Sequence, residues 1–112
     1  MRITKVTETE ISESPHKIDV RKLFDKELAE VVHIKLASGE SLKPHITPVD
    51  VLFYVLEGSP EILIGQQRRL VNSESLIESP KYIPHCIYNN SDEDVRVLVI
   101  KIPKPLVKSK LI

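Results

Sequence analysis

Four histidines, His16, His33, His45 and His85, carry most of the chemistry open to this chain. A neutral imidazole binds divalent transition metals, and near neutral pH it also gives and takes protons. Two of the four have polar company at short spacing. His45 precedes Thr47 and Asp50, and His85 precedes Asn89. On a strand, residues two apart share a side, so Thr47 accompanies His45. Asp50 has the opposite parity and points to the other face unless a bulge near Pro48 shifts the register. Cys86 follows His85 and points away from it, as a small buried residue on the outer face would. His33 shares the polar face of its segment with Lys35 and reads as a surface residue, and His16 lies in the N-terminal stretch without a constellation. No Ser, His and Asp have the spacing of a nucleophilic triad, and three glycines do not make a phosphate-cradling loop.

Two segments place these histidines in a larger pattern. The first, Gly39 to Gly58, is GESLKPHITPVDVLFYVLEG. It resembles the first cupin motif, G-x5-H-x-H-x3,4-E-x6-G, with Gly39, His45 and Gly58 in register. The second, ESLIESPKYIPHCIYNN, resembles the second motif, G-x5-P-x-G-x2-H-x3-N, with Pro80, His85 and Asn89 in place and Glu74 and Tyr82 at the two glycine positions. The chain is thus similar to a small single-domain cupin of the RmlC-like superfamily with a degenerate metal motif. The resemblance implies an all-β fold, a double-stranded β-helix (jelly-roll) barrel of short antiparallel strands, with His45 and His85 facing one site inside it.

The other two metal ligands of the family fall on Thr47 and Val51. A threonine hydroxyl is a poor ligand for a divalent transition metal, and valine offers no donor. Two imidazoles would hold one such metal, of unspecified identity, weakly and with positions left for water or ligand. Asp50 is the candidate third ligand, completing a facial triad if a bulge turns it inward. Glu57 shares the parity of His45 but directly precedes Gly58, at an exposed barrel end. The metal-free alternative is a pair of barrel-lining histidines hydrogen-bonded to Thr47, Asn89, water or a bound molecule. Thr47, Val49, Val51, Phe53, Val55, Ile87 and Asn89 would line the interior, and Tyr82 either narrows its mouth or is an ordinary loop aromatic. That lining suits a small, partly apolar ligand with one or two acceptors or acidic groups. The leading expectation is a small-molecule-binding cupin with weak or no metal binding. One alternative is a transition-metal-dependent oxygenase, isomerase or lyase using His45 and His85; another is a non-catalytic interaction module.

The elements that must position these residues are short strands. Val31 to Leu36 alternates, whereas Val51 to Leu56 and much of Val95 to Ile102 are apolar on both faces, as in strands covered on both sides. Ile62 to Ile64 and Arg68 to Val71 flank a turn supplied by Gly65 and Gln66. Only Asp19 to Glu30 offers room for one or two helical turns. Exposed strand edges must close or pair, which favours a barrel. Its outer face at Leu52, Tyr54 and Leu56 needs cover, so a two-fold homodimer is expected.

Three regions follow: an N-terminal arm over residues 1–28 with a strand and a short turn or helix, a barrel over 29–103, and a basic tail over 104–112. The tail has too few charges and no aromatic residue for a nucleic-acid arm, and reads as mobile or docked on a second subunit. The 112 residues suit one domain with one core. Sixteen basic residues balance sixteen acidic ones, so no overall field draws the chain to nucleic acid or an anionic membrane. The single cysteine allows no intrachain disulfide, and no apolar run approaches the roughly 20 residues of a membrane span. The N-terminus lacks the apolar stretch of a signal peptide, so the expected location is the cytoplasm.

Overall fold

In the computed structural model, which describes residues 1–112, ten strands follow a short 3-10 turn at Val6–Glu8. They are β1 (Asp19–Lys26), β2 (Ala29–Leu36), β3 (Ser41–Ile46), β4 (Asp50–Glu57), β5 (Glu61–Ile64), β6 (Gln67–Leu70), β7 (Leu76–Ser79), β8 (His85–Tyr88), β9 (Val95–Ile102) and β10 (Lys110–Leu111). They form two five-stranded antiparallel sheets, ordered β1-β2-β9-β4-β7 and β10-β3-β8-β5-β6. Val32, Ile34, Leu36, Val51, Phe53, Val55, Val95, Val97 and Val99 from the first sheet meet Leu42, Ile62 and Ile87 from the second in one core. This is the all-β jelly-roll barrel that the resemblance implied, built from the short strands that the alternation predicted.

The two-sided strands behave as their composition requires. Their inner residues are fully buried, and the outer Leu52, Tyr54, Leu56, Leu98 and Ile100 are only half-buried. The β5–β6 hairpin turns at Gly65, whose φ of 61° lies in the left-handed region that glycine enters freely. Gly58 is held more tightly, because a Cβ there would lie 2.6 Å from the Asp94 carbonyl oxygen. At Glu74 and Tyr82, where the second motif has glycine, φ is 66° and 64°. The left-handed conformation persists there without the glycine that makes it inexpensive.

Two expectations need correction. Asp19 to Lys26 holds no helical turn; it is a complete strand paired along β2, and a bulge between Lys22 and Phe24 breaks the alternation that would have marked it as one. The N-terminal stretch is tied to this strand. The Arg21 guanidinium binds the Asp19 carboxylate at 2.9 and 3.1 Å and donates to the carbonyls of Val6 and Thr9. The basic tail is docked on its own barrel, with Lys110 opposite Ile46 and Leu111 opposite His45 along the edge of β3.

Candidate functional site

His45 and His85 lie directly opposite each other on β3 and β8, after a bulge between Leu42 and His45 absorbs one extra residue of β3. Their Nε2 atoms are 3.0 Å apart. The direction of each hydrogen bond follows from what the outermost partner can do. The Lys43 carbonyl, 2.8 Å from His45 Nδ1, only accepts, so His45 carries its proton on Nδ1 and presents a bare lone pair at Nε2. His85 therefore donates from Nε2, and its Nδ1 accepts from the Ser79 hydroxyl at 2.6 Å. The chain from Ser79 through both imidazoles to Lys43 is closed, with every donor and acceptor used.

Around this pair the packing is dense. The Phe53 ring meets His85 edge-on at 5.1 Å between centroids, and Thr47 Oγ1 lies 3.4 Å from His85 Nε2 and 2.7 Å from Ser109 Oγ in the tail. His16 stacks edge-on against His45 at 5.1 Å, and its Nδ1 accepts from the Lys43 amide at 2.8 Å. Burial, followed by the charges of its neighbours, pushes the pKa of His85 down to about 3 and that of His16 down to about 4. His45 is lowered by burial too, against the opposing pull of the Lys43 carbonyl. All three imidazoles are neutral at physiological pH.

Lys101 adds a cation to the constellation. It pairs across β9 and β4 with Val51, so its side chain leaves on the core side, and its ammonium lies 3.6 Å from the buried carboxylate of Glu30. Its charge contributes to the lowered pKa of His16, His45 and His85. Sequence reasoning missed Lys101, although its parity with Val95, Val97 and Val99 was a readable signal. It also missed His16, Ser79 and Ser109, which come to the site from distant segments and share no spacing with the motif. Ser79 backed by two imidazoles resembles a nucleophile relay, but it is 1% exposed, and an imidazole with a pKa near 3 is too weak a base to activate it at neutral pH.

The other expected site residues divide. Thr47 is buried beside the pair, while Val51, Phe53, Val55 and Ile87 pack into the apolar core beneath it. Asp50 is exposed, and its carboxylate accepts from the Lys81 amide at 2.9 Å, so no bulge turns it toward the histidines. Tyr82 is 62% exposed and reaches the site only through its amide, which donates to the Thr47 carbonyl. Asn89 is fully buried but bonds to Leu36, Ser91 and Glu93, away from the imidazoles. His33 is buried, contrary to its surface reading. It lies between Arg21 and Leu98 in register, and it accepts from Arg96 at Nε2, which leaves a buried Nδ1 without a partner. Cys86 is a buried free thiol. Surface clefts of about 550 and 470 Å³ are lined by residues near Ser12 to Ile18 and near Asp50 and Glu78, and neither includes His45 or His85.

A family model described as a cupin domain matches residues 32–101. No curated protein matches. Among solved structures, the chain is similar to TT1209 from Thermus thermophilus, with 24% identity, 94% of this chain and 100% of that one covered, and a TM-score of 0.80. The polyketide cyclase RemF from Streptomyces resistomycificus is 21% identical over 100% of this chain and 85% of its own, with a TM-score of 0.83. An RmlC-like cupin from Shewanella frigidimarina is 14% identical over 92% of this chain and 91% of its own, with a TM-score of 0.80. At these identities the likeness carries the fold alone. No helix is long and apolar enough to cross a membrane.

Proposed function

The chain belongs to the cupin domain family, and from that premise we propose that it binds a small, partly apolar molecule bearing an acidic or hydrogen-bond-accepting group at the His45–His85 pair, without needing a metal. One observation carries this reading: the hydrogen-bond chain from Ser79 to Lys43 holds both imidazoles in place through the protein's own groups. Thr47 and Val51 stand where two metal ligands would be. No three His, Cys, Asp or Glu side chains come together in a geometry that could hold a metal ion. Lys101 supplies a positive charge for an acidic group, and Phe53 an apolar wall.

A thermal-shift screen against small branched and aromatic carboxylates, with chelator present throughout, tests it. A ligand at 100 times its Kd is expected to add about 2.7 kcal/mol of stability, and the shift should vanish in His45→Ala/His85→Ala. Binding that needs metal, or that persists in the double variant, would sink the reading.

A transition-metal-dependent enzyme is the second reading, favoured by the convergence of the two Nε2 atoms at 3.0 Å. Ligands 2.0–2.1 Å from one ion lie about that far apart. The Ser79 hydroxyl can reverse and accept from His85 Nδ1, freeing Nε2. Such a metal would supply Lewis-acid or redox chemistry; His45 and His85 would hold it, with the Thr47 hydroxyl beside them. Stoichiometric metal by elemental mass spectrometry, lost in the same double variant, would favour this reading.

The outer face of the first sheet supports a two-fold homodimer as the working assembly. Leu52, Tyr54, Leu98 and Ile100 form a half-buried apolar surface there, and His33, on the same face, has the orphaned Nδ1. Leu98→Glu should turn a dimer into a monomer in analytical ultracentrifugation, and a monomeric wild type would end this assignment. The buried, unpaired Cys86 fits a reducing, cytoplasmic location.

A further inference from the structure

We infer that residues 104–112 are a displaceable strap that controls access to the His45–His85 pair, an inference that rests on that pair being the ligand site. The strap touches the site itself. Leu111 lies opposite His45, and Ser109 Oγ holds Thr47 Oγ1 at 2.7 Å. Beneath it His45, Thr47 and His85 are 6%, 1% and 2% exposed, so a ligand reaches them only after part of the cover moves.

The strap is the least anchored part of that cover. Its ladder on β3 is two residues long, extended by one bond from the Ile112 amide to the Pro44 carbonyl at 3.3 Å. Pro44 has no N–H to return, which thins the ladder on the β3 side. Little of the strap's apolar surface is buried: Leu106 is fully exposed, Val107 65% and Ile112 64% exposed, and Leu111, on the same face of the ladder as His45, is still 41% exposed. Almost no apolar burial holds it down, so its opening is a low-energy local event.

Its root is fixed by contrast. The Lys104 amide donates to the Glu27 carbonyl, and its ammonium pairs with Asp25. Residues beyond Pro105 can therefore lift while the barrel stays intact. The His16 side of the cover is better tied, by the bond from the Lys43 amide to His16 and by the Ser12 amide donating to the Val20 carbonyl at 2.7 Å. A ligand whose polar group takes over the Thr47 hydroxyl from Ser109 competes directly with closure.

Modification by diethyl pyrocarbonate, mapped by mass spectrometry, reads the gate without any ligand, because the unprotonated Nε2 of His45, whose partner is His85, is its target once the cover lifts. We compare the full chain, a chain ending at Pro105, full-length Lys110→Pro, and Ile46→Cys/Lys110→Cys in reduced and oxidised forms. His33, buried on the outer face, is the internal reference. Truncation and Lys110→Pro should speed modification of His45 and His85 about tenfold or more, and the oxidised pair should slow it below the reduced form, with His33 unchanged. Equal rates for His45 and His85 across all forms would overturn the strap. Because no ligand is used, that result is separable from a carboxylate screen that fails on both full-length and truncated protein, which would overturn the ligand reading instead.

Discussion

Lowering the pH from 6.5 to 4.5 is expected to strip about 3 kcal/mol or more of stability from the metal-free protein through its histidine row alone. The folded pKa of His85 is pushed down to about 3 and that of His16 to about 4, both below the unfolded value of about 6.5. The unfolded chain therefore takes up these protons first. The stability is fully present above about pH 6.5 and falls by about 1.4 kcal/mol per pH unit per histidine toward the folded pKa. The row is one coupled system of adjacent rings, so its members do not contribute independently. Even the lower figure is a large part of the roughly 5–15 kcal/mol that holds a domain of this kind. Asp25, whose carboxyl is held below its ordinary range by Lys104, enters only at lower pH and does not blur this window. Urea titrations with chelator at pH 7, 5.5 and 4.5 should give a steep loss for the wild type and a slope about 1.4 kcal/mol per unit shallower for His85→Gln. Equal slopes would show that His85 is not buried as a neutral base.

The same burial explains which parts of the site could be read from residue types alone. A strand and a motif spacing fix the direction of His45 and His85, which lie opposite each other on β3 and β8, and parity turns Asp50 outward, where its carboxylate meets the Lys81 amide. Glu74 and Tyr82 show the limit of reading a glycine position by residue identity: what is retained there is the positive φ, and two other residue types adopt it. His33 was assigned to the surface because it alternates with Lys35, an inference that holds only when the outer face of a sheet is open. Arg96 and the neighbouring strands cover it. The strand at Asp19 to Lys26 was hidden by a bulge that no composition signals. Lys101 belongs to no motif spacing, and only its inward parity, shared with Val95, Val97 and Val99, marks it as the unusual residue of β9. The strap had no periodicity to betray its two-residue pairing with β3.

Replacing Asn89 with alanine is expected to cost about 3–4 kcal/mol, lowering Tm by roughly 15–25 °C, while leaving the histidine pair intact. The Asn89 amide nitrogen donates to the carbonyls of Leu36 at 2.9 Å and Glu93 at 2.7 Å, and its oxygen accepts from the Ser91 amide at 3.0 Å and the Ser91 hydroxyl at 2.6 Å. Four bonds at about 1 kcal/mol each set the scale, and the Leu36 carbonyl, on a residue with no solvent exposure, would lose its Asn89 partner with no water to replace it. Asn89 thus ties the end of β2 to the loop between β8 and β9, at the end of β8 away from His85. Calorimetry gives the cost, and the pyrocarbonate reactivity of His45 and His85 well below the new Tm shows whether the site survives. A near-native Tm with lost ligand binding would return Asn89 to the pocket. The expected result, a large loss of Tm with unchanged histidine reactivity, makes this motif residue a determinant of the fold. Its presence in a sequence then says that the barrel is built, and only His45, His85 and the groups packed on them say what the barrel binds.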